Sequence, residues 1–360
     1  MPDRNLPPAM GAPDDRVRRR LTLQDIADAA GVSPGLVSMI LRGQSGPSAA
    51  TAAKVTEVAE RLGYRPNRTA SQLASRRTQL LGVTSTPGNP YHGELVEEIL
   101  SRTNDRGYEV LLSPVTRTHE EVGAIQTLVD SRCEVIILLN TTLEPGRLEK
   151  ALDGLPAVVV GPSVDLPTVD VVRTDDSAAV TMLVEHLLEL GHTRIAHVDG
   201  GDLYLPRTRR EAYEAAMVRH RLSPLVVSGG ETEDRGAEAA DEILGTSDST
   251  AIIAYNDLCA IGIMDSLQKR GVRIPEDISI TGFDNNRIAR LHGIALTTID
   301  PLKLEQARRA VDCAIERVDQ GRTQRVIHEF PPHLIVRATT AEPRARASRR
   351  VMAARRAIGT

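Results

Sequence analysis

From Leu80 onward, short apolar runs alternate with longer amphipathic stretches, and this alternation restricts the fold more tightly than any other property of the chain. The runs occupy residues 80–85, 109–112, 135–139, 157–161, 194–198, 250–255 and 278–283, and the stretches include 93–106, 120–131, 177–190, 207–219 and 258–270. Gly107, Gly191 and Gly271 stand where three of these helices should stop, because glycine readily takes the left-handed conformation that closes a helix. A strand that is apolar at nearly every position is covered on both faces, and strands that alternate with helices pair in parallel. The spacing therefore predicts a doubly wound parallel sheet. Roughly 260 residues are more than one such sheet ordinarily holds, so two subdomains are expected, with ligands meeting the carboxyl ends of the strands in a cleft between them.

Residues 21–66 follow another rule. Ile26, Ala27 and Ala30 form the apolar stripe of a short helix, and Gly31 permits the sharp turn that ends it. Ser33 is placed to cap a second helix. Pro34 fits its first position, where a missing N–H costs nothing, while Val37, Ile40 and Leu41 recur at spacings that bury one face. Pro34, Gly35, Ser38, Met39 and Arg42 occupy the opposite face, which in a helix-turn-helix enters the major groove of DNA. A third helix starts after Ser48, places Ala52, Val55, Val58, Ala59 and Leu62 on one side, and stops at Gly63.

Charge is divided along the same line. The whole chain carries a formal net charge of −4, which says nothing of nucleic acid. Residues 16–77 hold eleven Arg and Lys against four acids, a net of +7, whereas residues 78–343 hold 26 bases against 41 acids, a net of −15. The basic module is therefore the phosphate-facing part. A second basic stretch at the carboxyl end, with Arg344, Arg346, Arg349, Arg350, Arg355 and Arg356, reads as a disordered tail over 341–360, and residues 1–20 as a disordered arm with a basic end. No apolar run reaches the length of a membrane span and the amino end lacks signal-peptide order, so a cytoplasmic protein without membrane contact is expected. Cys133, Cys259 and Cys313 are isolated within apolar segments and read as buried thiols, and no histidine joins a ligand cluster, so neither metal nor cofactor is expected.

Several motifs at fixed offsets add a resemblance. Leu21-Thr22-Leu23-Gln24-Asp25-Ile26-Ala27, Ala30-Gly31-Val32-Ser33, Val37-Ser38 and Leu62-Gly63-Tyr64-Arg65-Pro66-Asn67 resemble the DNA-binding headpiece of the LacI/GalR regulators. The stretches 187–196, Leu-Leu-Glu-Leu-Gly-His-Thr-Arg-Ile-Ala, and 275–285, Pro-Glu-Asp-Ile-Ser-Ile-Thr-Gly-Phe-Asp-Asn, are similar to the effector domain of the same family. The resemblance implies an all-α helix-turn-helix headpiece followed by an α/β periplasmic-binding-protein-like domain of two doubly wound parallel-sheet subdomains. It divides the chain into a headpiece at 21–66, a hinge helix and linker at 67–77, and a ligand-binding and dimerisation domain at 78–340. Within that domain it implies crossings between subdomains near 161, 290 and 322, giving one subdomain of 78–161 and 291–321 and another of 162–290 and 322–340.

By the same resemblance, DNA contacts fall to Thr22, Leu23, Ser33, Pro34, Gly35, Ser38, Met39 and Arg42 of the headpiece and to Asn67, Arg68, Ala70, Leu73 and Arg76 of the hinge. Pro34, Gly35 and Met39 stand where relatives often carry longer polar residues, so base-edge hydrogen bonds are few and more of the specificity falls on the hinge. There, paired Leu73 side chains are expected to wedge open the central base step of a palindromic operator bound by a homodimer.

For the effector, Tyr91 and His92 follow the first strand's loop, and Arg209 matches the family arginine that binds a carboxylate or hydroxyls with its fork. Asn256 and Asp284 end two strands. Asp175 and Asp176 begin a helix, where capping competes with a contact to the effector. Glu231 stands where many relatives offer an aromatic, and with no Trp and only two Phe in the chain a flat aromatic effector is disfavoured. A sugar or sugar derivative is expected, and an acidic effector stays open because Arg207, Arg209 and Arg210 could serve it.

Two other classes compete. An extracytoplasmic solute-binding protein shares the large fold but not the headpiece. A nucleotide-dependent enzyme would need Gly-x-Gly-x-x-Gly after the first strand, where this chain has Thr86-Pro87-Gly88-Asn89, and no nucleophile, base and orienter fall in recognisable order. Leu73→Ala should weaken specific operator binding far more than binding to unrelated DNA in salt-matched titrations; an equal loss on both would sink the hinge role of Leu73.

Overall fold

The computed structural model describes residues 21–41, 46–64, 77–201, 203–344 and 351. Arg42, Asn67, Arg68, Ala70, Leu73 and Arg76 lie outside the described residues, as does the expected hinge helix. The chain divides after Arg77 into two compact units.

The first unit contains α1 (Leu23–Ala30), α2 (Pro34–Leu41) and α3 (Ala49–Leu62). Thr22 caps α1 through a reciprocal box: its backbone N–H donates to Asp25 Oδ2 at 2.7 Å, and its side chain accepts from the Asp25 N–H. Gly31, at φ 67°, ends the helix in the left-handed conformation that its missing Cβ allows. Ser33 accepts from Leu36 N at 3.3 Å to start α2, and Ser48 accepts from Thr51 N at 3.2 Å to start α3. Ile26, Ala27, Ala30, Val37, Val55, Val58 and Ala59 make the core, with Ile40 and Leu41 packed at its margin. Leu62, expected on the same stripe, is 39% exposed in the last turn.

The second unit holds two six-stranded sheets. The first comprises β1 (Leu80–Ser85), β2 (Glu109–Pro114), β3 (Val135–Leu139), β4 (Ala157–Val160), β5 (Val169–Thr174) and β11 (Ile327–Phe330), in the order β11-β5-β4-β3-β1-β2 and parallel throughout. The second comprises β6 (Ile195–Asp199), β7 (Leu225–Ser228), β8 (Ala251–Ala254), β9 (Ser279–Phe283), β10 (Thr297–Asp300) and β12 (His333–Ile335), in the order β12-β10-β9-β8-β6-β7, with only β12 antiparallel. Helices α4 (Pro90–Asn104), α5 (Glu121–Asp130), α6 (Pro145–Leu152) and α11 (Lys303–Asp319) cover the first sheet, and α7 (Asp176–Glu189), α8 (Tyr204–Arg219), α9 (Glu233–Thr246) and α10 (Asp257–Lys269) the second. Each sheet has a separate apolar cluster on each face, which is the doubly wound arrangement.

Four expectations need correction. The expected crossing near 161 comes after Thr174 instead, because β5 pairs with β4 in the first sheet. The crossing expected near 290 falls at Pro301, because β10 pairs with β9, and that expected near 322 falls between Phe330 and His333, because β11 returns to pair with β5. Finally, the carboxyl-terminal stretch is not wholly a loose tail: Ala341 O accepts from His192 Nε2 at 2.9 Å, Arg344 pairs with Asp277 at 3.3 Å, and Val351 is buried in a core cluster of the second sheet.

What hid β5 also anchors it. Asp170 interrupts its apolar run and is completely buried. It accepts from Arg317 Nε at 2.9 Å, from an Arg322 terminal nitrogen at 2.6 Å and from Val326 N at 2.8 Å, fastening α11 and the approach to β11 onto the sheet. Burial alone would raise the Asp170 pKa, but the hydrogen bonds from Arg317, Arg322 and Val326 outweigh it and hold the carboxyl below its usual value. Asp170→Asn leaves the buried Arg317 without its carboxylate and Arg322 with only Glu316, and should cost about 3–5 kcal/mol in chemical denaturation at pH 7. Because the folded-state value is lowered, the carboxylate's contribution is present above the ordinary carboxylate pKa and is lost as pH falls through the lowered one, so the gap should close only in strong acid.

Candidate functional site

Both sheets end on one cleft of about 620 Å³, including its open mouth. All six residues expected to meet an effector, Tyr91, His92, Asp176, Arg209, Asn256 and Asp284, line it. The first sheet's side supplies the start of α4, where Asn89 caps the helix by accepting from Tyr91 N at 3.0 Å. Tyr91 is half-buried on the wall, and among the described residues its hydroxyl has no hydrogen-bond partner. His92 is buried and its Nδ1 accepts from Thr86 N at 3.0 Å, which leaves the ring proton on Nε2. Burial pushes its pKa down to about 4, so the ring is neutral at physiological pH.

The second sheet's side is built around Arg209. Its Nε donates to Asp176 Oδ1 at 2.7 Å and a terminal nitrogen donates to the Tyr255 carbonyl at 2.9 Å. The guanidinium carbon lies 3.5 Å from the centre of the Phe283 ring and 4.8 Å from that of Tyr255. One plane is thus occupied by an aromatic face and two of its donors by protein acceptors. The neighbouring carboxylates divide the work: Asp175 caps α7 by accepting from Ala178 N at 2.9 Å, while Asp176 takes the arginine.

Asn256 lies on the wall, but both ends of its amide serve the protein. Oδ1 accepts from Cys259 N at 2.8 Å, capping α10, and Nδ2 donates to the Glu231 carbonyl at 3.1 Å. The adjacent Asp257 is fully buried, accepting from Thr298 Oγ1 at 2.6 Å and from Asn286 N at 2.8 Å. A Cβ at Gly282 would lie 2.4 Å from Asp257 Oδ1, so only glycine lets β9 pass this carboxylate. Asp284 follows β9 with φ 112° and Asn285 with φ 47°, conformations strained for residues with a side chain. Lys303, at the start of α11, holds that turn by donating Nζ to the carbonyls of both residues at 2.7 Å, and it lies 3.4 Å from Glu94 of α4. Burial, and then the charge of Asp257, raise the Asp284 pKa well above the usual carboxylate range, although Arg209 and Lys303 oppose the shift.

These features have counterparts among known proteins. Residues 22–67 match the description "Bacterial regulatory proteins, lacI family", and residues 184–340 match "Periplasmic binding protein-like domain". A crystal structure of a LacI transcriptional regulator from a Rhodococcus species is 42% identical, covers 73% of this chain and 98% of its own, and superposes with a TM-score of 0.70. The chain belongs to the LacI family. Its likeness extends over the headpiece as well: the HTH-type transcriptional regulator DegA of Bacillus subtilis is 29% identical over 89% of this chain and 98% of its own length. The Lac repressor dimer bound to operator and the anti-inducer ONPF is 27% identical, covers 90% of this chain and 100% of its own, and has a TM-score of 0.80.

Within this LacI-family headpiece, Ser33 and Gly35 are exposed and Pro34, Ser38 and Met39 half-buried, whereas Val37 of α2 is buried. Thr22 is exposed but its side chain serves the α1 cap, and Leu23 packs at the edge of the headpiece core. In the cleft, sequence reasoning passed over Asn140, Thr174, Gln306, Tyr255 and Phe283. Asn140 directly follows β3, so the strand-end rule that singled out Asn256 applied to it equally. Thr174 ends β5, and Gln306, which donates to Thr174 Oγ1 at 2.7 Å, lies on α11; neither element had been read from the sequence.

His92→Asn keeps an acceptor near Thr86 N and removes the titration. The neutral ring contributes stability that is complete above pH 6.5 and lost as pH falls toward 4, because the unfolded chain takes up the proton first. Wild type should therefore lose about 3 kcal/mol relative to the variant across that window in denaturant melts. Parallel pH profiles would mean that His92 takes up its proton as readily in the fold as in the unfolded chain.

Proposed function

We propose that this LacI-family regulator is a repressor that binds a palindromic operator as a homodimer and releases or retains it according to a small carbohydrate-like effector in the cleft. What carries the reading is the pairing, in one chain, of a basic three-helix headpiece with a two-sheet domain whose cleft presents Arg209, Asp176 and Asp284 together. A guanidinium beside carboxylates donates to and accepts from neighbouring hydroxyls, which is the chemistry of a polyol. The similarity to a Lac repressor dimer on its operator supports the dimeric arrangement and the operator as target. Relatives of this chain are transcriptional regulators, which supports a regulator over an enzyme. No described helix is long and apolar enough to cross a membrane, and we read the protein as acting in the cytoplasm.

Effector control works through unequal affinity for two arrangements of the subdomains, which biases the headpieces between them toward or away from the operator spacing. The DNA side rests on the face of α2 and on residues 67–76, with Leu73 as the minor-groove wedge. Selection of genomic fragments by the purified full-length protein identifies the operator, and sedimentation in its presence gives the stoichiometry. One dimer per palindromic site is expected; a monomer on a single half-site would refute the arrangement. With the operator in hand, Asp284→Ala should shift the effector dose for half-response about 10-fold upward while specific DNA binding is retained, as fits the loss of a hydrogen-bonding group on the cleft wall.

A further inference from the structure

The headpiece joins the large domain through one peptide, Arg77–Thr78, and the residues on the domain side of it are held from far along the chain. A single carboxylate oxygen, Glu134 Oε1, accepts from the backbone N–H of Thr78 and, at 2.9 Å, from that of Gln79. The Thr78 hydroxyl donates to the Arg132 carbonyl at 2.8 Å, and the Gln79 carbonyl accepts from Glu109 N at 2.9 Å. Gln79 takes φ 52°, in the left-handed region that a residue with a side chain keeps only where its surroundings hold it. The paired residues of β1 begin at Leu80, so the Glu134 bonds serve the approach to the strand and not the ladder itself.

Glu134 closes the turn between α5 and β3, and the wholly buried β3 then runs through the first sheet to Asn140 on the cleft wall. Its neighbour β1 starts beside the same carboxylate and ends at Ser85, next to Thr86, whose N–H meets His92 of the cleft. Two paired strands therefore connect the cleft to the bonds at Thr78 and Gln79, over roughly 16 Å at the usual rise of a strand. A movement of the first sheet carries Thr78 with it, because the entry to β1 has no slack to absorb it.

We infer that Glu134 is a positioning residue for operator binding: it fixes the point and direction at which the first sheet passes the chain to the headpiece. This rests on reading the protein as a dimer on a palindromic operator. Without the carboxylate, Thr78 and Gln79 must be ordered each time two headpieces settle at the operator's spacing, whereas the anchor orders them once, in folding. Binding to unrelated DNA is set by phosphate contacts and demands no such spacing, so it does not depend on the anchor.

The experiment compares full-length wild type, Glu134→Ala and Glu134→Gln by amide hydrogen exchange and by titration, at one salt concentration, with the fragment that wild type selects and with unrelated DNA of equal length. In wild type the Thr78 and Gln79 amides should be protected, and in Glu134→Ala they should exchange freely while the melting temperature stays within a few degrees. Glu134→Ala should lose about tenfold in affinity for the selected fragment, as fits the ordering of one further residue, and keep its affinity for unrelated DNA. Glu134→Gln retains an Oε1 acceptor for both amides and should stay within about threefold of wild type on both DNAs. Unprotected amides in wild type, an unchanged affinity for the selected fragment in Glu134→Ala, an equal loss on both DNAs, or a Glu134→Gln protein as defective as Glu134→Ala overturns the assignment. Failure of wild type to select any fragment overturns the operator reading and the role of Glu134 with it, and protection of the two amides then shows a bond that serves the fold alone.

Discussion

Everything on the second sheet's side of the cleft is arranged around a guanidinium that has been taken out of water. Arg209 is 7% exposed, and a charge at that depth persists only with a counter-charge and acceptors for its protons. Asp176 at the start of α7, the Tyr255 carbonyl at the end of β8 and the Phe283 ring at the end of β9 supply them. One side chain therefore cross-links two strand ends and two helices. Burial works against its charge, and Asp176, Tyr255 and Asp284 more than restore it, so the guanidinium stays charged at any pH the protein meets. The cleft consequently has a fixed donor at its centre rather than a mobile one, and a fixed donor loses little entropy when it meets a ligand.

Much of this was legible from sequence because it obeys periodicity. The runs at 80–85 and 135–139 coincide with β1 and β3, since neither contains a charged residue to blur the pattern. Helices α4, α5, α7, α8 and α10 were likewise anticipated to within a few residues at their ends. Two of the missed strands share one cause. Asp170 and Arg173 in β5, and His328 and Glu329 in β11, give those strands a polar look, and a charge that is satisfied by a residue far along the chain cannot be told from one that faces water. Those two strands set two of the three places where the chain changes sheets, and the expected crossings had come from the family resemblance, since periodicity showed neither strand.

The site was readable to a similar depth. Strand-end position together with the family resemblance picked out six side chains that line one cleft, but what each does there depends on partners that are distant in sequence. Asn256 was singled out as a ligand contact and spends its amide oxygen on Cys259 N and an amide proton on the loop at Glu231. Arg209 looked available to an acid and is half consumed by Asp176 and Tyr255. Hydrogen-bond satisfaction is a property of the folded neighbourhood, and no spacing rule carries it.

The turn at Asp284 and Asn285 belongs to the second subdomain, yet the group that clasps its carbonyls, Lys303, grows from the first. That makes the backbone angle of a cleft residue a function of where the opposite subdomain stands. A rotation about the three crossing strands that pulled Lys303 away would release two positive-φ residues and swing the Asp284 carboxylate with them. Affinity and subdomain angle would then be two readings of a single mechanical coordinate, as the needle and the spring of a gauge are. The wall of the pocket is, in that sense, a moving part of the transmission.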